Sequence, residues 1–213
     1  MRIAIVTFDG FNEIDSFVAS HILNRVDRAG WKAEIAAPAQ SVTSMNGVTV
    51  SAQQPLEFLN EADAVIIGSG RKTRQAIIDE SIISRIRLSP ERQLIGSQCS
   101  GALVLAHLGY LKDIPACTDV RTRPMLEAAG VRVLDRPFHA EGNIASAGGC
   151  LSAQYLATWM IWRLAGKKAA VDALSYVMPV GEQSEYIARA IEAVSAYVGT
   201  SNASAGAAMA ELS

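Results

Sequence analysis

Cys99 stands in the segment QLIGSQCSGALVLAHLGYL, where an apolar run from Leu94 to Gly96 ends and a helical pattern begins. A thiol at such a junction is a candidate nucleophile. The unpaired N–H groups at a helix start favour an anion, so the position predicts a thiol pKa below that of free cysteine. The small neighbours Ser97, Ser100 and Gly101 permit a sharp turn and a close substrate approach. Together they read as a nucleophile elbow with cysteine in place of serine. The N–H of Ser100 then points to where negative charge develops, and Gly70, ending a neighbouring strand, supplies a second donor. The competing reading is a small buried cysteine with no chemistry. The strand–Cys–Ser–Gly–helix order favours the reactive thiol.

The remaining reactive side chains divide into partners and bystanders. Asp15, in FNEIDSFVASHIL, is either an acid stabilising a helix start or the acid partner of Cys99. Glu13 competes with it from two residues away. Asp119 is a pocket acid or the cap of a helix beginning near Arg121. Cys117 and Cys150 read first as apolar packing, although Cys150 follows Gly148-Gly149 at a strand end and is placed to line a pocket. Three cysteines without regular spacing make neither a disulfide framework nor a zinc motif. His107 lies eight residues after Cys99 on one helix, about 12 Å along its axis, and cannot serve that thiol. His21 reads as a helix-face residue and His139 as an exposed hairpin residue. No histidine has metal-ligand spacing, and no metal or cofactor is expected. The run Arg71-Lys72-Thr73-Arg74 is either a solvated face or a contact for an anionic group of the substrate.

The elements that would position these residues alternate along the chain. Strands are expected at Arg2–Phe8, Lys32–Ala37, Ala64–Ile67 and before Cys99. Helical spacing runs from Asp15 to Ala29, through Ile77, again over Ile82–Leu88, and over Arg121–Ala129. Asn46-Gly47 signals a hairpin between Val42-Thr43 and Val48–Val50. A second hairpin joins Arg136–His139 to Asn143–Ala147 through Glu141-Gly142. Leu151–Ala165 is a long apolar helix with Trp159 and Trp162 in packing roles, and Ser184–Val198 is amphipathic. The tail from Gly199 is rich in Ser, Ala and Gly, and is expected to fray. Residues 1–198 therefore read as one α/β domain with a mostly parallel sheet and helices on both faces. With 213 residues, 50% hydrophobic and 19% charged, the chain can bury a full core. A net charge of −2 gives no reason to expect nucleic acid as a partner. No run approaches the roughly 20 apolar residues of a membrane span. The first residues lead straight into a core strand, which predicts a cytoplasmic protein without a signal peptide.

From Arg2 to about Val198 the sequence resembles the ThiJ/PfpI superfamily. SQCSGALVLAHLGYL is similar to its cysteine elbow, IIGSG to its Gly-rich turn after the third strand, and IASAGGCLSAQYLA to its Gly-rich strand-to-helix junction. The resemblance implies a flavodoxin-like fold, a homodimer, and an acid after the first strand facing the elbow, a position held here by Asp15. Aspartate rather than glutamate there resembles the isonitrile hydratase branch. Two departures stand out. Asp119, in ACTDV, occupies the slot where many members carry a histidine, and the Gly-Pro that often follows the first acid is missing near Val18-Ala19. The expected function is a cysteine-dependent hydratase or hydrolase acting on a small electrophilic carbon, with Cys99 as nucleophile and Asp15 as proton partner. The alternatives are a redox sensor or ligand-binding module using an oxidisable Cys99, or glyoxalase-like conversion of 2-oxoaldehydes.

Overall fold

β1 (Arg2–Val6) sends its side chains alternately into two cores, Ile3 and Ile5 to one side, Ala4 and Val6 to the other. Burial on both faces is why the run is continuously apolar. The computed structural model describes residues 1–199, and the remainder of the predicted tail, 200–213, lies outside the described residues.

α1 (Glu13–Leu23) starts where the Asn12 side chain accepts the Ile14 N–H at 3.1 Å. It stops six residues short of the expected end at Ala29. Asn24 caps it, donating its side-chain amide to the carbonyls of Ser20 and Ala33, both at 2.9 Å, and accepting the Ala33 N–H at 3.0 Å. These bonds turn the chain into β2 (Lys32–Ala37). The first hairpin is β3 (Ser41–Thr43) with β4 (Thr49–Ser51). A two-residue edge strand, β5 (Gln54–Pro55), and a 3-10 turn (Leu56–Asn60) follow; both are too short to show a period in sequence. Proline is tolerated at such an edge.

β6 (Ala64–Ile67) leads through Gly68–Arg71 into α2 (Thr73–Ile78) and α3 (Glu80–Ile83). The helix expected through Leu88 ends at Ile83, and the chain beyond it turns toward β7 (Leu94–Gln98). A 3-10 turn (Cys99–Gly101) and the short α4 (Ala102–His107) complete the elbow. α5 (Arg123–Ala128) precedes the second hairpin, β8 (Phe138–Glu141) and β9 (Ile144–Ala147), which turns at Gly142 as expected. A third 3-10 turn (Cys150–Ser152) opens α6 (Ala153–Ala165). α7 (Lys167–Val177), absent from the sequence reading, packs Ala170, Ala173 and Leu174 before α8 (Gln183–Ser195).

The main sheet has the order β5-β2-β1-β6-β7-β9-β8, parallel throughout except where β8 runs antiparallel to β9. α1, α6, α7 and α8 cover one face; α2 to α5 and the first 3-10 turn cover the other. The carboxyl ends of β1, β6, β7 and β9 therefore open at one edge, where ligands bind in such sheets. The loops there begin with Thr7, Gly68, Cys99 and Gly148.

Candidate active site

Cys99 is the one non-glycine residue with positive φ, +45°, among the described residues. A non-glycine residue held there costs on the order of 1–3 kcal/mol, so its surroundings must impose the conformation. They do so by close packing. A Cβ at Gly101 would lie 2.3 Å from the Ile67 carbonyl oxygen, so only glycine lets the elbow press against β6. Thr118 Oγ1 donates to the Cys99 carbonyl at 2.9 Å from the other side.

Asp15 reaches this elbow because the loop after β1 is tied to the loop after β6. Phe11 bridges Gly70, and the Asn12 N–H donates to the Ser69 carbonyl at 2.9 Å. The Asp15 carboxylate is fully buried; Ser69 Oγ donates to Oδ2, while Oδ1 has no hydrogen-bond partner among the described residues. Glu13 is directed elsewhere, accepting from Ser44 Oγ and from Asn46 Nδ2 at 2.9 Å. The third member is Cys150. Gly149, with φ +86°, delivers it from the end of β9, and Asn12 Nδ2 donates to its sulfur at 3.2 Å. The sulfurs of Cys99 and Cys150 and a carboxylate oxygen of Asp15 all lie within 4.8 Å of one another.

This grouping reverses the expected sign of the Cys99 pKa. Burial pushes the thiol up from its ordinary value, and the adjacent Asp15 carboxylate pushes it further. The helix start that was expected to lower it belongs to a six-residue helix. Its field falls off within a turn, and the acid lies in contact. Cys150 is raised for the same two reasons. Both effects favour the protonated form of the Cys99 thiol beside the buried Asp15 side chain.

The other expected residues are also placed. Ser100 lines the pocket, but its hydroxyl accepts the Gly70 N–H at 3.1 Å. The amide assigned as a second oxyanion donor is therefore already engaged. Asp119 lines the pocket and accepts the N–H groups of Arg121 (2.9 Å) and Thr122 (3.1 Å) in the turn before α5, but the cap of that helix is Thr122. His21 and His107 are exposed and no histidine lines the cavity. His139, expected to be exposed, is half-buried with its ring 5.3 Å from that of Tyr197.

The cavity over the two thiols measures about 520 Å³. Arg71, Arg74 and Arg121 line it and, among the described residues, form no ion pair. Lys72, from the same basic run, is turned away to Asp9 at 2.6 Å. The sequence reading missed Arg121, and also Asn12, Ser69 and Gln98 as donors to the acidic groups. Gln98 Nε2 donates to Cys99 Sγ at 3.5 Å and to the Gly149 carbonyl at 2.8 Å. Polar residues at strand ends have no spacing that would single them out.

A mostly parallel sheet with a strained cysteine at the turn into a helix, beside an acid in the first turn of α1, defines a cysteine-elbow α/β protein of the flavodoxin-like class. Residues 1–161 match the DJ-1/PfpI family, and the chain belongs to that family. Among solved structures it is similar to DJ-1 of Schizosaccharomyces pombe, at 18% identity and TM-score 0.71, over 84% of this chain and 100% of that one. Drosophila melanogaster DJ-1beta gives 18% identity and TM-score 0.73 over 83% and 96% of the two chains. A DJ-1 superfamily protein from Salmonella typhimurium gives 21% identity and TM-score 0.72 over 83% and 97%. At these identities the likeness establishes the fold. No curated protein matches the sequence. Among the described residues no helix is long and apolar enough to cross a membrane.

Proposed function

We propose that the protein is a cysteine-dependent hydratase of a small electrophilic carbon, and that isonitriles, converted to N-substituted formamides, are its substrate class. The observation that carries this reading is the strained Cys99 thiol set against the buried Asp15 carboxylate beneath a cavity of about 520 Å³. A thiol that keeps its proton is a poor nucleophile toward a substrate that accepts only an anion. It suits a carbon that must gain both a sulfur and a hydrogen. Cys99 sulfur attacks the terminal carbon of R–N≡C, Asp15 takes the thiol proton, and that proton passes to the same carbon, giving the thioimidate R–N=CH–S–Cys. Water then adds to this carbon, with Asp15 accepting its proton and the nitrogen becoming protonated. Collapse expels the sulfur, which recovers a proton, and releases R–NH–CHO. The sum is one isonitrile and one water to one formamide. A homodimer and a cytoplasmic location belong to the same proposal.

A redox role is the second reading, favoured by the proximity of two thiols, Cys99 and Cys150. Alkyl and aryl isonitriles assayed beside methylglyoxal, with Cys99→Ala as background, separate the readings. Formamide formation that requires Cys99 supports the hydratase. Turnover of methylglyoxal alone transfers the site to the glyoxalase-like reaction, and turnover of neither class favours the sensor.

A further inference from the structure

Cys150 takes no part in the proposed hydration, yet the structure places it against both groups that do. We propose that Cys99 Sγ, Cys150 Sγ and a carboxylate oxygen of Asp15 form a binding site for a borderline-soft divalent cation of the Zn²⁺ kind, with its fourth position open to the cavity.

The donor set is the first reason. Two thiolates and a carboxylate match the preference of Zn²⁺ for sulfur with harder ligands, and three protein ligands with one open position is a standard arrangement for a site facing a cavity. The spacing is the second. The three ligand atoms lie within 4.8 Å of one another. Ligands about 2.0–2.3 Å from a tetrahedral ion sit roughly 3.4–3.8 Å apart, so closure requires a movement of at most about 1–1.4 Å. Cys150 can supply it, being half-buried on the turn after Gly149, whereas Asp15 and Cys99 are held by the contacts described above.

The outer contacts are the third reason. Every ligand already accepts a hydrogen bond from a group behind it: Ser69 Oγ to Asp15, Gln98 Nε2 to Cys99 and Asn12 Nδ2 to Cys150. Such donors orient ligands and support their anionic forms. Asp15 Oδ1 is buried and has no hydrogen-bond partner among the described residues. Binding releases two protons, one from each thiol: M²⁺ + 2 RSH + RCOO⁻ gives [M(SR)₂(OOCR)]⁻ + 2 H⁺. No electron is transferred. The complex carries one negative charge, opposite in sign to Arg71, Arg74 and Arg121 around the cavity. Occupancy engages the Cys99 sulfur lone pair, so the ion silences that nucleophile. The silencing rests on the proposed hydratase reading; the site itself does not.

The test is titration of the full chain, reduced and freed of metal with a chelator, with Co²⁺ as the spectroscopic probe, followed by Zn²⁺ competition. A thiolate-to-cobalt charge-transfer band saturating at one ion per chain is expected. Cys150→Ser should lose about half the band, and Zn²⁺ affinity should fall at least about tenfold. Asp15→Asn should weaken binding while keeping the band, and Cys117→Ser should change neither. Zn²⁺ protection of Cys99 and Cys150 from alkylation, mapped by peptide in the wild-type chain, gives the same answer without a variant. No saturable band, or a band unchanged by Cys150→Ser together with no protection, overturns the site. Metal binding together with no turnover of any isonitrile by the metal-free protein sinks the hydratase alone; turnover indifferent to Zn²⁺, with no band, sinks the metal site alone.

Discussion

Cys99 and Cys117 are both buried thiols, 4% and 0% exposed, and burial raises both above the ordinary value, Cys117 to about 12. They differ in everything else. Cys117 follows the isolated bridge of Ala116 to Val133, and its N–H donates to Ser146 Oγ at 2.8 Å. The charges that bear on it, Arg136 and Arg123, favour a thiolate, yet it lines no part of the cavity above Cys99. Cys99 has φ at +45°, an acid in contact and a cavity in front of it. The lesson is that a raised pKa alone does not separate the two thiols. The cavity and the neighbouring acid do.

The largest expected contrast is in turnover. Cys99→Ala and Cys99→Ser should both abolish formamide production, because a neutral hydroxyl without a strong base is a poor nucleophile. Cys117→Ala should leave it intact while lowering the melting temperature. Loss of activity in the Cys117 variant with the fold retained would break the comparison.

Next comes Asp15→Asn, which keeps the size of the side chain and removes the proton acceptor. It should cost about 10²–10⁴ in rate, the usual reach of general acid–base catalysis. It should also lower the Cys99 and Cys150 thiol pKa values by removing the neighbouring negative charge, leaving Cys117 unchanged. Alkylation rates against pH, read peptide by peptide, report both outcomes.

The wild-type pH profile is the third contrast. Because the folded-state pKa of Cys99 lies above the unfolded 9.0, its alkylation should still be rising beyond pH 9.0. Linkage has the same sign: the stability this thiol contributes is complete below 9.0 and is lost as pH climbs toward the raised folded value. A plateau near neutrality would show instead that the helix start dominates. The smallest effect concerns the rim. Iodoacetate should outpace iodoacetamide at Cys99 relative to a free thiol, and Arg71→Ala, Arg74→Ala and Arg121→Ala should each reduce that preference by about two- to threefold, with added salt erasing it.

Much of this arrangement was legible in the sequence. β6 and β7 show as short apolar runs ended by small residues, since strands covered on both faces leave no polar alternation. The elbow could be read from Cys99 and Gly101, and Asp15 from its place in a segment resembling a known family. Cys150 could be placed at the pocket from its strand end, but the closeness of its sulfur to the other two groups could not be read. The three residues stand at positions 15, 99 and 150, and only the parallel order of β1, β7 and β9 brings their loops to one edge. The thiol pKa was read with the wrong sign because the helix start was weighed without the burial of Cys99 and the charge of Asp15, which both raise it. α7 was passed over although Ala170, Ala173 and Leu174 carry helical spacing, because its apolar face is built from small residues.

The central claim is that Cys99 forms a covalent adduct with the substrate and Asp15 moves the proton. Incubating the wild-type protein and Asp15→Asn with an isonitrile, quenching at short times, then locating the mass gain by peptide mapping, tests it most directly. Addition has no leaving group, so the account predicts a gain of one whole isonitrile on the Cys99 peptide of the wild-type chain, formed more slowly in Asp15→Asn, because Asp15 carries the proton in the addition as well as in the later hydrolysis. A gain on the Cys117 or Cys150 peptide instead, or wild-type formamide production that survives Cys99→Ala, would contradict it.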